Sequence, residues 1–170
     1  TVDKSVFPGL QGGPHMQTIA SIAVTLKKAQ EPEFKEYAEQ VMKNSKVLAQ
    51  TLMDGGMKLV TNGTDNHMMV MDTTESFQIG GTQAEEILDR VGITTNKQVI
   101  PDDPNPPLKP SGVRLGTPAA TSRGFKEAEM EKIGNWILEA LKNHEDEAKL
   151  KEIKAAVMEM CKGFPVPGIS

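Results

Sequence analysis

Apolar residues recur at intervals of three and four along much of the chain, which is the spacing of one face of an α-helix. The segment 16–30 is apolar around most of its circumference, so we expect this helix to be buried on several sides. The segment 32–54 carries one continuous apolar stripe and ends at Gly55-Gly56, a typical helix stop. Periodicity and helix-start signals together predict helices over residues 16–30, 32–54, 82–91, 125–142 and 145–160.

Short apolar runs between Gly, Asn and Asp residues predict strands over 58–60, 67–71 and 93–95, and a further strand around Arg114. The proline-rich segment 101–110 fits neither a helix nor a strand, so we expect an irregular loop. The order of elements predicts an α/β fold with an α+β-like small domain. In this fold a helical segment precedes a small mixed sheet, which helices cover on one face.

We expect two domains along the chain. Residues 1–31 resemble the tail of a larger domain, and residues 32–170 form a small α/β domain that the long helix 32–54 connects to it. The chain starts at Thr1 without an initiator Met, which suggests that a segment upstream has been removed.

Composition excludes several classes of function. A net charge of −4 with mixed signs gives no basic surface for nucleic acid or for an anionic membrane, and no apolar run reaches membrane-spanning length. The lone Cys161 argues against a disulfide framework, so we expect a cytoplasmic protein. No clustered His, Cys or carboxylate motif predicts a metal site.

Arg114 is the most informative residue for chemistry, since it stands between Val113 and Leu115 in a short segment bounded by glycines. The apolar neighbours predict a largely buried strand. A guanidinium in such a place needs an anion, because an unpaired buried charge is costly. Its planar fork suits a carboxylate or a phosphate. The strand alone leaves two interpretations open, an internal ion pair with an Asp or Glu of the same fold and a site for an anionic ligand.

Gly12 and Gly13 stand just before the helix that begins near residue 16. Glycines in such a loop let backbone N–H groups approach an anion, and the helix N-terminus adds a favourable dipole. The same sequence is also typical of an ordinary turn. Lys97 is a candidate amine, although a solvated lysine explains it equally well, and Arg123 is expected to form a salt bridge beside a helix.

Four separated motifs occur in an order and with a spacing that resembles serine hydroxymethyltransferase. The resemblance extends over essentially the whole chain, but it covers only the C-terminal part of a family member. The motifs are Phe7-Pro8-Gly9-Leu10-Gln11-Gly12-Gly13-Pro14-His15, Gly63-Thr64-Asp65-Asn66-His67, Asn96-Lys97 with Pro101 and Asp103-Pro104, and Ser111-Gly112-Val113-Arg114-Leu115-Gly116-Thr117-Pro118-Ala119.

This resemblance implies the C-terminal portion of a fold-type I enzyme that depends on pyridoxal 5'-phosphate. Such an enzyme interconverts serine and tetrahydrofolate with glycine and 5,10-methylenetetrahydrofolate, and the cofactor acts as the electron sink. Residues 1–31 would end the large cofactor-binding domain. The implied partners are serine, glycine and folate, in a homodimer or a dimer of dimers.

The resemblance also assigns roles to individual residues. Arg114 matches the arginine that binds the carboxylate of the amino-acid substrate. Gly12 and Gly13 match the loop that reaches the cofactor phosphate of the neighbouring subunit, which implies shared active sites. Phe7 would lie close to the folate entrance, and Gln98 would lie on the folate side.

The chain departs from the family pattern in two respects. Gln98 stands where many members carry Asn, which keeps the amide but adds a methylene. The Schiff-base lysine belongs to a motif upstream of Gly12, and Lys97 does not match it, so no catalytic residue is assigned and we expect the isolated chain to be inactive. A non-catalytic interaction module with the small-domain fold is the alternative. Another fold-type I enzyme, such as an aminotransferase, fits the glycine loop and the arginine motif less well.

Overall fold

The computed structural model describes residues 1–169, which fall into two compact units, the first Thr1–Glu36 and the second from Tyr37 onward. The first unit contains a short helix α1 (Val2–Lys4), an irregular helical segment (Ser5–Leu10) and the helix α2 (Met16–Lys28).

Every residue of the first unit is exposed, including the apolar side chains of α2. Ile22 is 53 % exposed and Leu26 is 60 % exposed. The expectation that this helix is buried on several sides is therefore wrong for the described chain. The reason is that this unit has no second apolar layer against which α2 could pack.

The second unit alternates helices with short strands. Its described part contains a four-stranded sheet, the greater part of the longest helix, five further α-helices and a short 3₁₀ helix (Val60–Asn62). The elements are α3 (Pro32–Asp54), β1 (Lys58–Leu59), β2 (Met68–Asp72), α4 (Thr73–Phe77), α5 (Gly81–Arg90), β3 (Asn96–Gln98), β4 (Gly112–Gly116), α6 (Pro118–Ser122), α7 (Glu127–Lys142) and α8 (Glu147–Lys162).

The strands lie in the order β1-β2-β4-β3, and every neighbouring pair is antiparallel. The sheet is thus antiparallel and not mixed as the sequence analysis expects, although the combination of helices with a small sheet is confirmed. β2 and β3 run in the same direction and are joined through α4 and α5, but β4 lies between them, so no hydrogen-bonded pair of described strands is parallel. β4 is a central strand, with β2 on one side and β3 on the other.

The core lies on one face of the sheet only. Val113 and Met71 are fully buried and are cross-strand partners. They pack in one hydrophobic cluster with helix residues such as Leu52, Leu88 and Ile137. Since side chains alternate between the two faces of a strand, the residues between them point away from this cluster. The prediction that helices cover one face of the sheet is confirmed.

A buried polar network holds the segment after β4 against α3. The Asn44 side-chain amide donates to Thr121 Oγ1 at 2.9 Å and to the Phe125 carbonyl at 2.8 Å. The Thr117 hydroxyl donates to the Val41 carbonyl at 3.0 Å. These bonds satisfy polar groups that would be costly to bury unpaired, and they fix the C-terminal end of β4.

Two local predictions fail at the edges of elements. The strand predicted at 93–95 lies at Asn96–Gln98, and the segment before it runs without regular structure. The helix α5 begins at Gly81, one residue before the predicted start at residue 82, and with Gly80 as its N-cap Thr82 is not placed to form a capping box with Glu85. The Glu85 carboxylate instead accepts a hydrogen bond from the Lys97 backbone N–H at 3.2 Å.

Candidate functional site

Arg114 lies in the middle of β4, on the sheet face opposite the core. Its cross-strand neighbours are Val70 on β2 and Asn96 on β3. The side chain is exposed, so the prediction of a largely buried strand is wrong for this residue. Val113 and Leu115 alternate with Arg114 as in a strand with one solvent face, and do not form the continuous apolar run of a buried strand.

The Arg114 guanidinium has a single hydrogen-bond partner among the described residues. Its Nη2 donates to Asn96 Oδ1 at 3.1 Å. Within residues 1–169 no Asp or Glu lies at ion-pair distance from it. The internal ion pair that the sequence left open does not form in this structure. Most of the five donors of the guanidinium remain available to an anion.

A cleft of about 370 Å³ opens beside Arg114. The floor is formed by β4 and the start of β2, and one wall is the segment that leads into β3. This volume suits a small molecule of the size of an amino acid or a part of a larger ligand. The lining residues are His67, Met68, Thr94, Thr95, Asn96, Arg114, Leu115 and Gly116.

Gln98 lies on the same sheet face as Arg114, because Asn96 pairs with Arg114 and Gln98 stands two residues further along β3. Its side-chain amide donates only to the neighbouring Val99 carbonyl, at 3.2 Å. The structure therefore brings two of the sequence-predicted residues, Arg114 and Gln98, onto one open face.

The glycine loop of the first unit forms a second concave site of about 450 Å³, lined by residues 10–15 together with Thr18 and Ile19. The backbone N–H groups of Gly12 and Gly13 have no hydrogen-bond partner within the described residues. A Cβ added at either glycine would meet nothing within 4 Å. The loop leads through His15, which makes no side-chain cap, into the 13-residue helix α2. Free N–H groups before a helix N-terminus fit a phosphate group.

Of the other candidates from the sequence, Lys97 and Arg123 have structural partners, whereas Phe7 is largely exposed. Phe7 lies in the first unit and is 64 % exposed. Lys97 is 3.7 Å from the Glu85 carboxylate. The Arg123 guanidinium donates to the Phe164 and Cys161 carbonyls at the end of α8, so its expected salt bridge is replaced by main-chain contacts. In residues 1–169 no group of three or more His, Cys, Asp or Glu side chains is placed to hold a metal ion.

Sequence reasoning did not assign a role to Asp103, whose carboxylate accepts four hydrogen bonds in the loop that precedes β4. Its oxygens accept from the Ser111 hydroxyl at 2.6 Å and from the Ser111 backbone N–H at 2.9 Å. They also accept from the backbone N–H groups of Asn105 and Ile100. These bonds, the Ser111 hydroxyl foremost, lower the pKa of Asp103 far below its ordinary value of 3.8. Asp103-Pro104 stands in one of the four motifs that carry the resemblance, and an Asp before a proline in a loop is a further local signal for such a role.

The second unit is a small α/β domain whose open sheet face suits a small anionic group, and the first unit has a helix start that suits another. The family model of serine hydroxymethyltransferase matches residues 1–137. The chain is 49 % identical over 165 residues to a serine hydroxymethyltransferase of Koribacter versatilis (strain Ellin345), covering 97 % of the chain and 38 % of that protein. It is 49 % identical over 168 residues to one of Sorangium cellulosum (strain So ce56), covering 99 % of the chain and 40 % of that protein.

The chain therefore belongs to the serine hydroxymethyltransferase family. It spans about two-fifths of the length of these curated relatives. None of the helices in residues 1–169 is both long and apolar enough to cross a membrane.

Proposed function

We propose that this chain is the C-terminal part of an enzyme that interconverts serine and tetrahydrofolate with glycine and 5,10-methylenetetrahydrofolate, and that Arg114 binds the carboxylate of the amino-acid substrate. The observation that carries the proposal is the Arg114 guanidinium, which lies in a cleft of about 370 Å³ and has no carboxylate partner among residues 1–169. A carboxylate can accept two parallel hydrogen bonds from such a fork.

Asn96 orients the guanidinium in this proposal. Its Oδ1 accepts from one Nη2 hydrogen, which restrains the side chain and leaves the remaining N–H groups for substrate. Restraint before binding reduces the conformational entropy lost when the substrate carboxylate arrives. Gln98 and Phe7 are proposed to contact folate, supported in the case of Gln98 by its place on the Arg114 face.

The Gly12-Gly13 loop is proposed to hold the phosphate of pyridoxal 5'-phosphate. The unpaired N–H groups and the helix start that follows them fit a phosphate, so the residues present are compatible with the cofactor. When bound, the cofactor supplies an electron sink for the amino-acid substrate. In this proposal the chain contributes a phosphate-binding loop and, separately, a carboxylate-binding arginine.

We further propose that the protein works as a homodimer or a dimer of dimers, in which Gly12 and Gly13 serve the active site of the neighbouring subunit. In that assembly residues 1–31 close the large cofactor-binding domain, and residues 32–170 form the small C-terminal domain. A cytoplasmic location agrees with the single free Cys161. Inactivity of a polypeptide limited to these 170 residues stays a prediction.

Replacement of Arg114 in the full-length enzyme tests the function. Arg114→Ala removes the guanidinium fork, and we expect the KM for serine to rise and kcat/KM to fall. The fall in kcat/KM should correspond to a loss of about 2–5 kcal/mol of transition-state stabilisation. Arg114→Lys keeps the charge but cannot make the parallel pair of bonds, so it should recover only part of the loss. Steady-state kinetics at several serine concentrations provide the measurement, and cofactor absorbance reports whether the site is loaded.

Lys97→Ala is the matched control, because it removes one positive charge from the neighbouring strand without touching the open face. Its carboxylate partner is Glu85 on α5, so the serine KM should stay at the parental value. An unchanged serine KM in Arg114→Ala would refute the assignment of Arg114.

A further inference from the structure

The loop between β3 and β4 is closed by one side chain. Asp103 Oδ2 accepts from the backbone N–H of Ile100 at 3.2 Å and of Ser111 at 2.9 Å. Asp103 Oδ1 accepts from the Asn105 N–H at 2.9 Å and from the Ser111 hydroxyl at 2.6 Å. The hydroxyl of Ser111 in turn accepts from the Asn105 side-chain amide at 2.8 Å. Four donors converge on one carboxylate, a number that backbone pairing in an ordinary hairpin does not require.

The composition of this loop explains why a side chain closes it. Five of its residues are prolines, which have no N–H to donate to a ladder. The last backbone pair of the two strands is Gln98 with Gly112. Just beyond that pair, the backbone N–H groups of Ile100 and Ser111 both donate to the same Asp103 oxygen. The carboxylate thus connects the segment after β3 with the segment before β4 at the point where the backbone pairing ends. The prolines are Pro101, Pro104, Pro106, Pro107 and Pro110.

The closure of the loop affects which residue of β3 lies opposite Arg114. β3 has only three residues, so its own ladder specifies the register weakly. The observed register places Asn96 opposite Arg114, and this pairing brings the Asn96 amide oxygen to 3.1 Å from the guanidinium. A slip of one residue would move Asn96 to the other face of the sheet. The guanidinium would then lose its single described hydrogen-bond partner.

We propose that Asp103 is a positioning residue for the amino-acid carboxylate site, because it fixes the register of β3 on β4 and thereby the pairing of Asn96 with Arg114. Asp103 acts through the strands and not by contact with the ligand. This inference rests on the proposed function of Arg114 as the carboxylate-binding residue.

Asp103→Asn in the full-length holoenzyme is the first test. The amide keeps the shape of the side chain, but its NH₂ group replaces one of the two carboxylate oxygens. Two of the four hydrogen bonds therefore become contacts between two donors. We expect the KM for serine to rise by about tenfold, the cost of a modest misplacement of a binding group, while kcat changes by less than about threefold. A lower kcat with an unchanged KM would overturn the proposal.

Asp102→Asn is the matched control, since it removes the same charge one residue earlier. Asp102 is exposed, makes no side-chain hydrogen bond in the described residues and has a φ of +53°, a conformation that Asn adopts readily. The serine KM of this variant should equal the parental value. A KM rise as large as that of Asp103→Asn would assign the effect to loop charge and overturn the proposal.

A double-mutant cycle separates positioning from general loss of structure. If Asp103 acts through Arg114, the Asp103→Asn change should have no further effect on serine kcat/KM in an Arg114→Ala background. Additive losses would overturn the positioning role while leaving the function of Arg114 intact. A parental KM in Arg114→Ala alone would overturn both. If Asp103→Asn fails to fold, Ser111→Ala enters the same cycle, because it removes only one of the four bonds and should raise KM by a smaller factor in the same direction.

Discussion

The guanidinium of Arg114 is exposed in the described chain, and exposure limits what an ion pair can contribute. An ion pair between exposed side chains is worth at most about 1 kcal/mol, because water screens it and both partners lose conformational freedom. The loss expected for Arg114→Ala is larger than this. The proposal therefore requires that the cleft beside Arg114 is shielded from water when the amino acid is bound, since two bonds to a carboxylate become strong only in a less polar surrounding.

The Asp103 carboxylate makes the stability of the second unit depend on pH. Hydrogen bonds lower its pKa in the folded state below the unfolded value, so the carboxylate stabilises the fold at every pH above about 4. That contribution is lost as the pH falls from about 4 through the folded pKa. We expect Asp103→Asn to lower the midpoint temperature of unfolding at neutral pH. The difference in midpoint temperature between the variant and the parent should become smaller as the pH falls below about 4. Calorimetry from neutral pH into this acidic range measures both midpoint temperatures. A difference that stays constant down to the lowest pH at which the parent folds would contradict the assignment.

At the scale of elements, the start of α5 packs directly on the beginning of β4. A Cβ added at Gly81 would lie 2.2 Å from the Gly112 carbonyl oxygen and 2.8 Å from that of Pro110. The Gly81 N–H also donates to the Pro110 carbonyl at 2.8 Å. We expect Gly81→Ala to push α5 from the sheet and lower the free energy of unfolding by about 1–3 kcal/mol, the cost of overpacking. Urea unfolding followed by circular dichroism provides the measurement.

Gly80→Ala is the matched control for this contact. A Cβ at Gly80 would meet nothing within 4 Å, and the residue has an ordinary φ of −64°. The free energy of unfolding should change little. Equal losses in the two alanine variants would show that helix capping, and not the approach of α5 to β4, decides stability here.

Helices of the second unit follow from local sequence more closely than its strands do. The bounds of α3 agree with the predicted 32–54, because a single apolar stripe and the following glycines define both the face and the end. β3 lies three residues from the prediction, since it is held by pairing with β4 across a loop and has no buried apolar pattern of its own. The short helices α4 and α6 have too few residues to show a period.

The features of the candidate site divide in the same way, into those that a contiguous sequence motif reveals and those that depend on residues far apart in the sequence. Arg114 and the Gly12-Gly13 loop could be found from contiguous motifs. The contact between Asn96 and Arg114 could not, because it joins residues 18 positions apart and exists only in one register. The exposure of Arg114 also depended on which face of the sheet the helices cover, which the alternation of Val113 and Leu115 indicates but does not decide alone.

At the scale of the whole molecule, the first unit has no buried residue, yet α2 carries Ile19, Ile22, Val24 and Leu26 at about half exposure or more. Apolar area of this kind favours association, because each side chain removed from water contributes roughly 1 kcal/mol or more.

We expect a polypeptide of residues 1–170 to self-associate, and we expect Ile22→Glu to shift the equilibrium towards the monomer. Gln17→Glu adds the same charge to α2 without removing apolar area, and it should leave association unchanged. Sedimentation velocity over a range of concentrations distinguishes these outcomes. A monodisperse parent monomer would contradict the prediction and would assign the exposed face of α2 to contacts with other parts of the enzyme.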